Sequence, residues 1–132
     1  MHTLTLVVDA YLLGLAVTVA LVVYPAFALV GDAEWPQYHA RHSARITWAV
    51  APAWALQGAV TLWWLLSSRY ELLALVHGAA ALAGVVTTVI GAVPAHNRLS
   101  PHRDETALRH LRHWHAARTL AWAVALVAAV LA

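Results

Sequence analysis

Hydrophobic and polar positions divide this chain into four long apolar blocks, at about 3–30, 46–67, 71–95 and 114–132. An uncharged apolar run of about 18 residues or more is long enough for a helix to cross a bilayer. A soluble four-helix bundle would carry a polar stripe along every helix, and over most of their length these blocks carry none. The pattern therefore predicts an all-α integral membrane four-helix bundle. It is a single domain over 1–132, with spans at about 3–30, 36–67, 71–95 and 106–132. Polar first turns extend the second and fourth spans beyond their apolar blocks.

Turn signals set the boundaries. Gly31, Asp32 and Pro36 punctuate the first connection, with Pro36 suited to a helix start. The second helix is expected from near Trp35 to about Leu66, with a kink at the internal Pro52. "SSRYE" reads as a tight turn. The third helix is expected over Leu72 to Val93, ended by Pro94. "NRLSPHRDET" reads as a loop, with Asp104 or Thr106 capping the fourth helix. No internal repeat or low-complexity segment stands out.

Composition agrees with the pattern. Of 132 residues, 62% are hydrophobic and 11% charged, far from a soluble domain. With no cysteine, disulfides, thiolate ligands and a cysteine nucleophile are excluded. The N-terminus lacks a basic region, and its apolar run is too long for a signal peptide. The basic residues are distributed unevenly. Arg41, Arg45, Arg98, Arg103, Arg109, Arg112 and Arg118 lie at one end of the expected bundle and Arg69 at the other. The positive-inside rule then places the His/Arg-rich loops in the cytoplasm and both termini outside, in a bacterial cytoplasmic membrane. Histidines sort the same way: His39, His42, His96, His102, His110, His113 and His115 share the arginine-rich end, with His2 and His77 opposite.

Helical periodicity separates those side chains into faces. In the fourth helix Leu108, Leu111, His115, Arg118 and Trp122 fall within a stripe about 80° wide, and Glu105, Arg109, Arg112 and His113 lie on the other side. His115 and Arg118 thus project toward the bundle; Arg103, Arg109, Arg112 and His113 suit headgroup anchoring. In the second helix His39, His42, Ala49, Ala53 and Gln57 share a face. In the third, His77, Ala81, Gly84, Thr88, Gly91 and Ala95 form a small-residue stripe that predicts close packing on a neighbour. Asp9 is the one acid inside a span, at the depth of His77, and a structural Asp9–His77 pair is expected.

His39, His42, His96 and His115 converge at one depth. Three or four imidazoles there would suit a Cu, Fe or Zn ion. The same groups would equally serve as acid, base or hydrogen-bond donor near neutral pH. Arg98 and Arg118 are candidates to hold an anionic group or an enolate. Trp35, Trp48, Trp63, Trp64 and Trp114 suit interfacial belts. Trp54 and Trp122 suit a pocket for a flat ligand, with Tyr38 and Trp114 as further substrate contacts.

The stretch "VPAHNRLS…WHAARTLAW" resembles the anthrone oxygenase-like family of small four-span membrane proteins. Its third helix ends in Pro-x-Asn-Asn-Arg-Leu, and a Trp-x-x-x-Arg element opens its fourth. Pro94, Asn97, Arg98, Leu99, Trp114 and Arg118 match; His96 replaces the first Asn and His115 takes a variable Asn/His place. The layout matches over the whole chain, the motifs over about a quarter of it. The resemblance implies a monooxygenase that oxidises an apolar aromatic or phenolic substrate with O2, without an organic cofactor. It implies catalytic roles for His115, Arg118, Asn97 and Arg98; the His96 departure makes Cu or Fe more plausible here. Two alternatives stand beside it: a copper-handling membrane protein using the same histidines, and a non-catalytic assembly subunit. The first would have few soft ligands, because Met1 is the sole methionine. In each case the expected partners are membrane lipid, a lipophilic small molecule in the enzymatic case, and a possible second copy of the chain; nothing suggests nucleic acid.

Overall fold

A computed structural model describes residues 1–132. The chain is all-helical, with no strand. Four helices, α1 (His2–Phe27), α2 (Trp35–Ser67), α3 (Leu72–Leu99) and α4 (Glu105–Val130), run up and down. Each packs on its neighbour in the chain, and α4 closes the ring against α1. α1, α2 and α3 are long and apolar enough to cross a membrane. α4 is long enough, but Arg109, Arg112, His113, His115 and Arg118 make its first half polar. Large apolar side chains cover the outside of the bundle: Leu29, Trp48 and Leu72 are 87%, 81% and 75% exposed.

α3 does not end at Pro94 as the sequence pattern predicts. It widens into a π-helical segment at Thr88–Ala92 and then continues as α-helix through Val93–Leu99. α1 does the same, with a π segment at Val19–Val23 just before Tyr24 and Pro25. Proline has no N–H to donate, and its ring crowds the carbonyl four residues back. Inserting one residue into the turn relieves both problems. The N–H groups of Tyr24 and Val93 reach back five residues, to Val19 and Thr88. The structure thus exposes a repeat that the pattern alone conceals. Each odd-numbered helix has a five-residue π segment, one residue, then Pro-Ala. Each following helix has His-x-Ala-Arg, at His42–Arg45 and His115–Arg118.

Helix ends are tied by side chains. Asp104, not Thr106, caps α4: its carboxylate accepts from the N–H groups of Thr106 (2.8 Å) and Ala107 (3.3 Å). Those bonds, that of Ala107 foremost, hold its pKa below the usual carboxylate range. Arg103 is not a free headgroup anchor. It donates to the carbonyls of Phe27, Ala28 and Val30 and pairs with Asp32, closing the C-terminus of α1. Trp35 is not in an interfacial belt either; it is fully buried and donates to the Leu99 carbonyl at 2.6 Å. α2 continues as α-helix past Pro52, and the Tyr11 hydroxyl donates to the neighbouring Ala49 carbonyl at 3.1 Å.

The small-residue stripe of α3 packs against α4, as expected. Gly84 lies against the indole of Trp122, and a Cβ at Gly91 would fall inside the ring of Trp114. Gly91→Ala should therefore destabilise the bundle. Overpacking costs about 1–3 kcal/mol, against a helix-propensity gain of about 1 kcal/mol. Gly58, with no neighbouring atom within 4 Å of an added Cβ, is the control. Gly58→Ala keeps the propensity gain alone and should raise the denaturation midpoint in detergent. Equal shifts of the same sign in both variants would refute the packing account.

Candidate functional site

A cavity of about 400 Å³ lies among all four helices toward the His/Arg-rich end. α1 contributes Ala16, Val19 and Tyr24; α2 contributes His42, Ile46 and Trp54 among others. α3 supplies Thr88, His96 and Asn97, and α4 supplies His115, Arg118 and Trp122. Both π segments border it, through Val19 and through Thr88 and Ala92. The widened turns therefore shape the walls of the site.

Arg118 is the best-held group. Its Nη2 donates to His115 Nδ1 at 2.6 Å, its Nη1 donates to Thr88 Oγ1 at 3.3 Å, and its guanidinium sits 5.3 Å from the Trp122 ring centroid. Its Nε has no partner. His115 is buried and both its nitrogens are engaged. Nε2 donates to the Ala16 carbonyl at 2.9 Å, while Nδ1 accepts from Arg118 and faces the Tyr24 hydroxyl at 3.4 Å. That assigns its tautomer: the proton is on Nε2. Thr88 Oγ in turn donates to the Gly84 carbonyl at 2.8 Å, which leaves its lone pairs for Arg118.

The other histidines form a stack. His39 is buried, lies parallel to Trp35 at 5.3 Å and is edge-on to Phe27. His39 Nε2 is 3.1 Å from His96 Nδ1. His42 stacks on His96 at 6.2 Å and meets the edge of Phe27. His96 Nε2 has no hydrogen bond within the protein. The Ser43 hydroxyl and the indole N–H of Trp54 and of Trp122 are also unpartnered, and those residues line the cavity. Buried polar atoms without partners are few in native proteins; several around one apolar cavity mark it as a place for a polar-tipped ligand.

The structure brings together His42, His96, Asn97, His115, Arg118, Trp54 and Trp122 from the sequence-derived candidates. It leaves Arg98, Tyr38 and Trp114 outside the cavity wall, and His39 behind His96. Arg98 and Asn97 are consecutive on a helix, so they point in different directions. Trp114 is spent on Gly91 and Tyr38 packs on Phe27 and Trp35. No group of three or more His, Asp or Glu side chains is arranged to hold an ion, and His115 has no free nitrogen. Sequence reasoning missed Tyr24, Ser43 and Ser100. The Tyr-Pro step at 24–25 was the available signal for the first, because a proline late in a span marks a bulge.

No protein-family model, curated protein or solved structure matches this chain.

A wide groove of about 730 Å³ runs outside the bundle between α1 and α4, past Ala20, Pro25, Arg112 and Leu120. Tyr24 and His115 line both the groove and the inner cavity. This pair of rings lies between the two.

At the opposite end the Asp9–His77 pair is present, at 2.8 Å with both residues fully buried. It extends further than the expected pair. Gln57 Nε2 donates to the other Asp9 oxygen at 2.8 Å, and Thr61 Oγ1 lies 3.3 Å from His77 Nδ1. Thr61 donates its proton to the Gln57 carbonyl at 2.6 Å, so it accepts from His77. The network is complete with one proton on His77 Nδ1 and one shared between His77 Nε2 and Asp9 Oδ2. None of its residues lines the groove or the inner cavity, and it reads as an internal tie among α1, α2 and α3.

Proposed function

We propose that this chain is a four-span membrane oxygenase that oxidises an apolar aromatic or phenolic carbon acid with O2, using protein side chains. The observation that carries the reading is the cavity itself: apolar walls, two tryptophans meeting edge to face with centroids 6.4 Å apart, and one convergent polar end of His96, His115, Arg118 and Asn97. Such a combination is the usual form of a small-molecule site. The resemblance at Pro94–Leu99 and Trp114–Arg118 supports the same chemistry. The apolar exterior supports a bilayer location. With Arg103 used as a cap and Arg118 in the cavity, Arg41, Arg45, Arg98, Arg109 and Arg112 still outnumber Arg69, which supports a cytoplasmic location for the rich end.

In this reading the substrate enters from lipid through the α1–α4 groove, past Tyr24 and His115. A flat ring system lies against Trp54 and Trp122 with its carbonyl oxygen toward Arg118. His96 Nε2 removes a proton from the activated CH2, and Arg118 stabilises the enolate oxygen that forms. The enolate carbon gives its electrons to O2, forming a C–O bond. The resulting hydroperoxide loses water as the second C–H proton leaves. One O2 is consumed, one CH2 becomes C=O, and one water is released. The scheme routes no step through a metal; His96 takes the proton and Arg118 holds the oxygen.

The test is direct. Purified protein in detergent is given anthrone, and O2 uptake and quinone absorbance are followed. One O2 consumed per quinone formed is expected, with no added metal or organic cofactor. Absence of turnover above the buffer rate with anthrone and with related phenols, in protein shown to be folded, would sink the oxygenase reading.

A further inference from the structure

We propose that His39 and Ser100 are positioning residues that hold His96 in its Nδ1–H tautomer, turning a bare Nε2 toward the cavity. The proposal rests on the reading of His96 as the proton acceptor and adds what makes it one. Its basis is the direction of a chain of hydrogen bonds.

The Ser100 hydroxyl is 3.2 Å from the His96 carbonyl, four residues back on the same helical turn. A serine hydroxyl in that position has its one proton on the carbonyl. Its oxygen is then left as an acceptor, and it faces His39 Nδ1 at 3.5 Å. His39 must therefore carry its proton on Nδ1. That leaves His39 Nε2 with a lone pair, 3.1 Å from His96 Nδ1, so His96 Nδ1 is the donor. In a neutral imidazole only one nitrogen is protonated, and His96 Nε2 is bare.

The reverse direction does not work. If His39 donated from Nε2 to His96, its Nδ1 lone pair would face the Ser100 oxygen, whose proton is already placed. Two acceptors would then meet with no hydrogen between them. The His39 ring is in no position to turn away, since it is buried between Trp35 and Phe27. Neutral imidazole in water favours the Nε2–H form, so the protein imposes the less common tautomer. The result parallels His115 in mirror image. There Nε2 is tied to a backbone carbonyl and Nδ1 receives Arg118. The two cavity imidazoles are thus oppositely protonated, one committed to orienting Arg118 and one open to substrate. Removing a hydrogen-bond partner that fixes a functional imidazole's tautomer and orientation typically costs about 10- to 100-fold in that imidazole's function.

The experiment is two-bond ¹H–¹⁵N correlation of histidine-labelled protein in detergent at pH 8, with His96→Asn used to assign the signal. His96 is expected as Nδ1–H and His115 as Nε2–H. Ser100→Ala and His39→Phe should each shift His96 toward Nε2–H; Ser100→Thr, which keeps the hydroxyl, should not. Ser100→Ala is the variant to rely on if His39→Phe fails to fold. In the anthrone assay Ser100→Ala should lower kcat by about 10- to 100-fold with KM unchanged, and Ser100→Thr should restore it. Wild-type His96 found as Nε2–H, or unchanged by Ser100→Ala, overturns the proposal. So does a bound metal ion that removes the Nδ1 proton. If the tautomer and its shift are as stated but anthrone is not oxidised, the relay stands and the oxygenase reading is what fails.

Discussion

Arg118→Gln is expected to lower kcat/KM for the proposed anthrone-type oxidation by about 10²–10³-fold, the loss typical of removing one preorganised donor from a developing oxyanion. The guanidinium is fixed before substrate arrives. Two of its nitrogens are spent on His115 and Thr88, its face is laid on Trp122, and its Nε is unpaired. A positive charge so held stabilises an enolate without reorganising, and the apolar walls keep water from screening it. Glutamine is too short to span from His115 to Thr88 and carries no charge. The variant should retain the helix content and elution volume of the wild type, because the apolar contacts of α4 are unchanged. The loss should be mostly in kcat, since the charge it answers arises only in the reaction. Thr88→Val, which removes one anchor and leaves the charge, should show a smaller loss. A turnover number for Arg118→Gln within threefold of wild type would remove Arg118 from the chemistry.

Asp9→Ala should cost about 3–5 kcal/mol of stability, the loss expected when one member of a buried, hydrogen-bonded acid–imidazole pair is removed. The pair lies at zero exposure, and the deletion leaves His77 Nε2 and Gln57 Nε2 without acceptors. The cost comes from stranded polar groups more than from lost attraction. Replacing Asp9, Gln57 and His77 together by Leu should therefore recover most of the loss, since a packed apolar cluster often equals a buried pair. Denaturant midpoints in detergent, with the slope checked for constancy, decide it. If Asp9→Ala costs less than about 1 kcal/mol, water reaches this network and it is not sealed. Neither variant touches the cavity, so turnover in any protein that remains folded should be near that of wild type.

The difference between these two polar clusters explains how far the sequence could be read. Asp9 and His77 were legible as a pair because each is the lone ionisable residue in an apolar stretch, at matching depth, and a buried charge requires a partner. Gln57 shared the inward face of α2 and was seen, but its role needed the register between α1 and α2. His115 and Arg118 were legible as inward-facing because Leu108, Leu111 and Trp122 mark the stripe. The fate of Arg45 was not. It stands in the same His-x-Ala-Arg element as Arg118, yet it is exposed while Arg118 is held inside by Thr88 and His115.

What the sequence by itself determined is the helical architecture and its polarity. The block lengths, the missing polar stripes and the crowding of arginines at one end follow from composition and from a period of 3.6 residues, both local properties. The small-residue stripe of α3 belongs with them, since glycine spacing announces close approach wherever the partner lies. The tertiary structure alone decided the rest. Pro94 was read as a helix end and Pro25 was passed over, but packing against α4 rewards a continued helix and the π segments at both prolines absorb the missing donors. The four histidines were read as one set, but packing divides them. His39 lies behind His96, and His115 is turned to Ala16 and Arg118. Which nitrogen carries a proton depends on atoms 57 to 99 residues away in the chain, and no local pattern carries that information. It arises only when four helices close around one cavity.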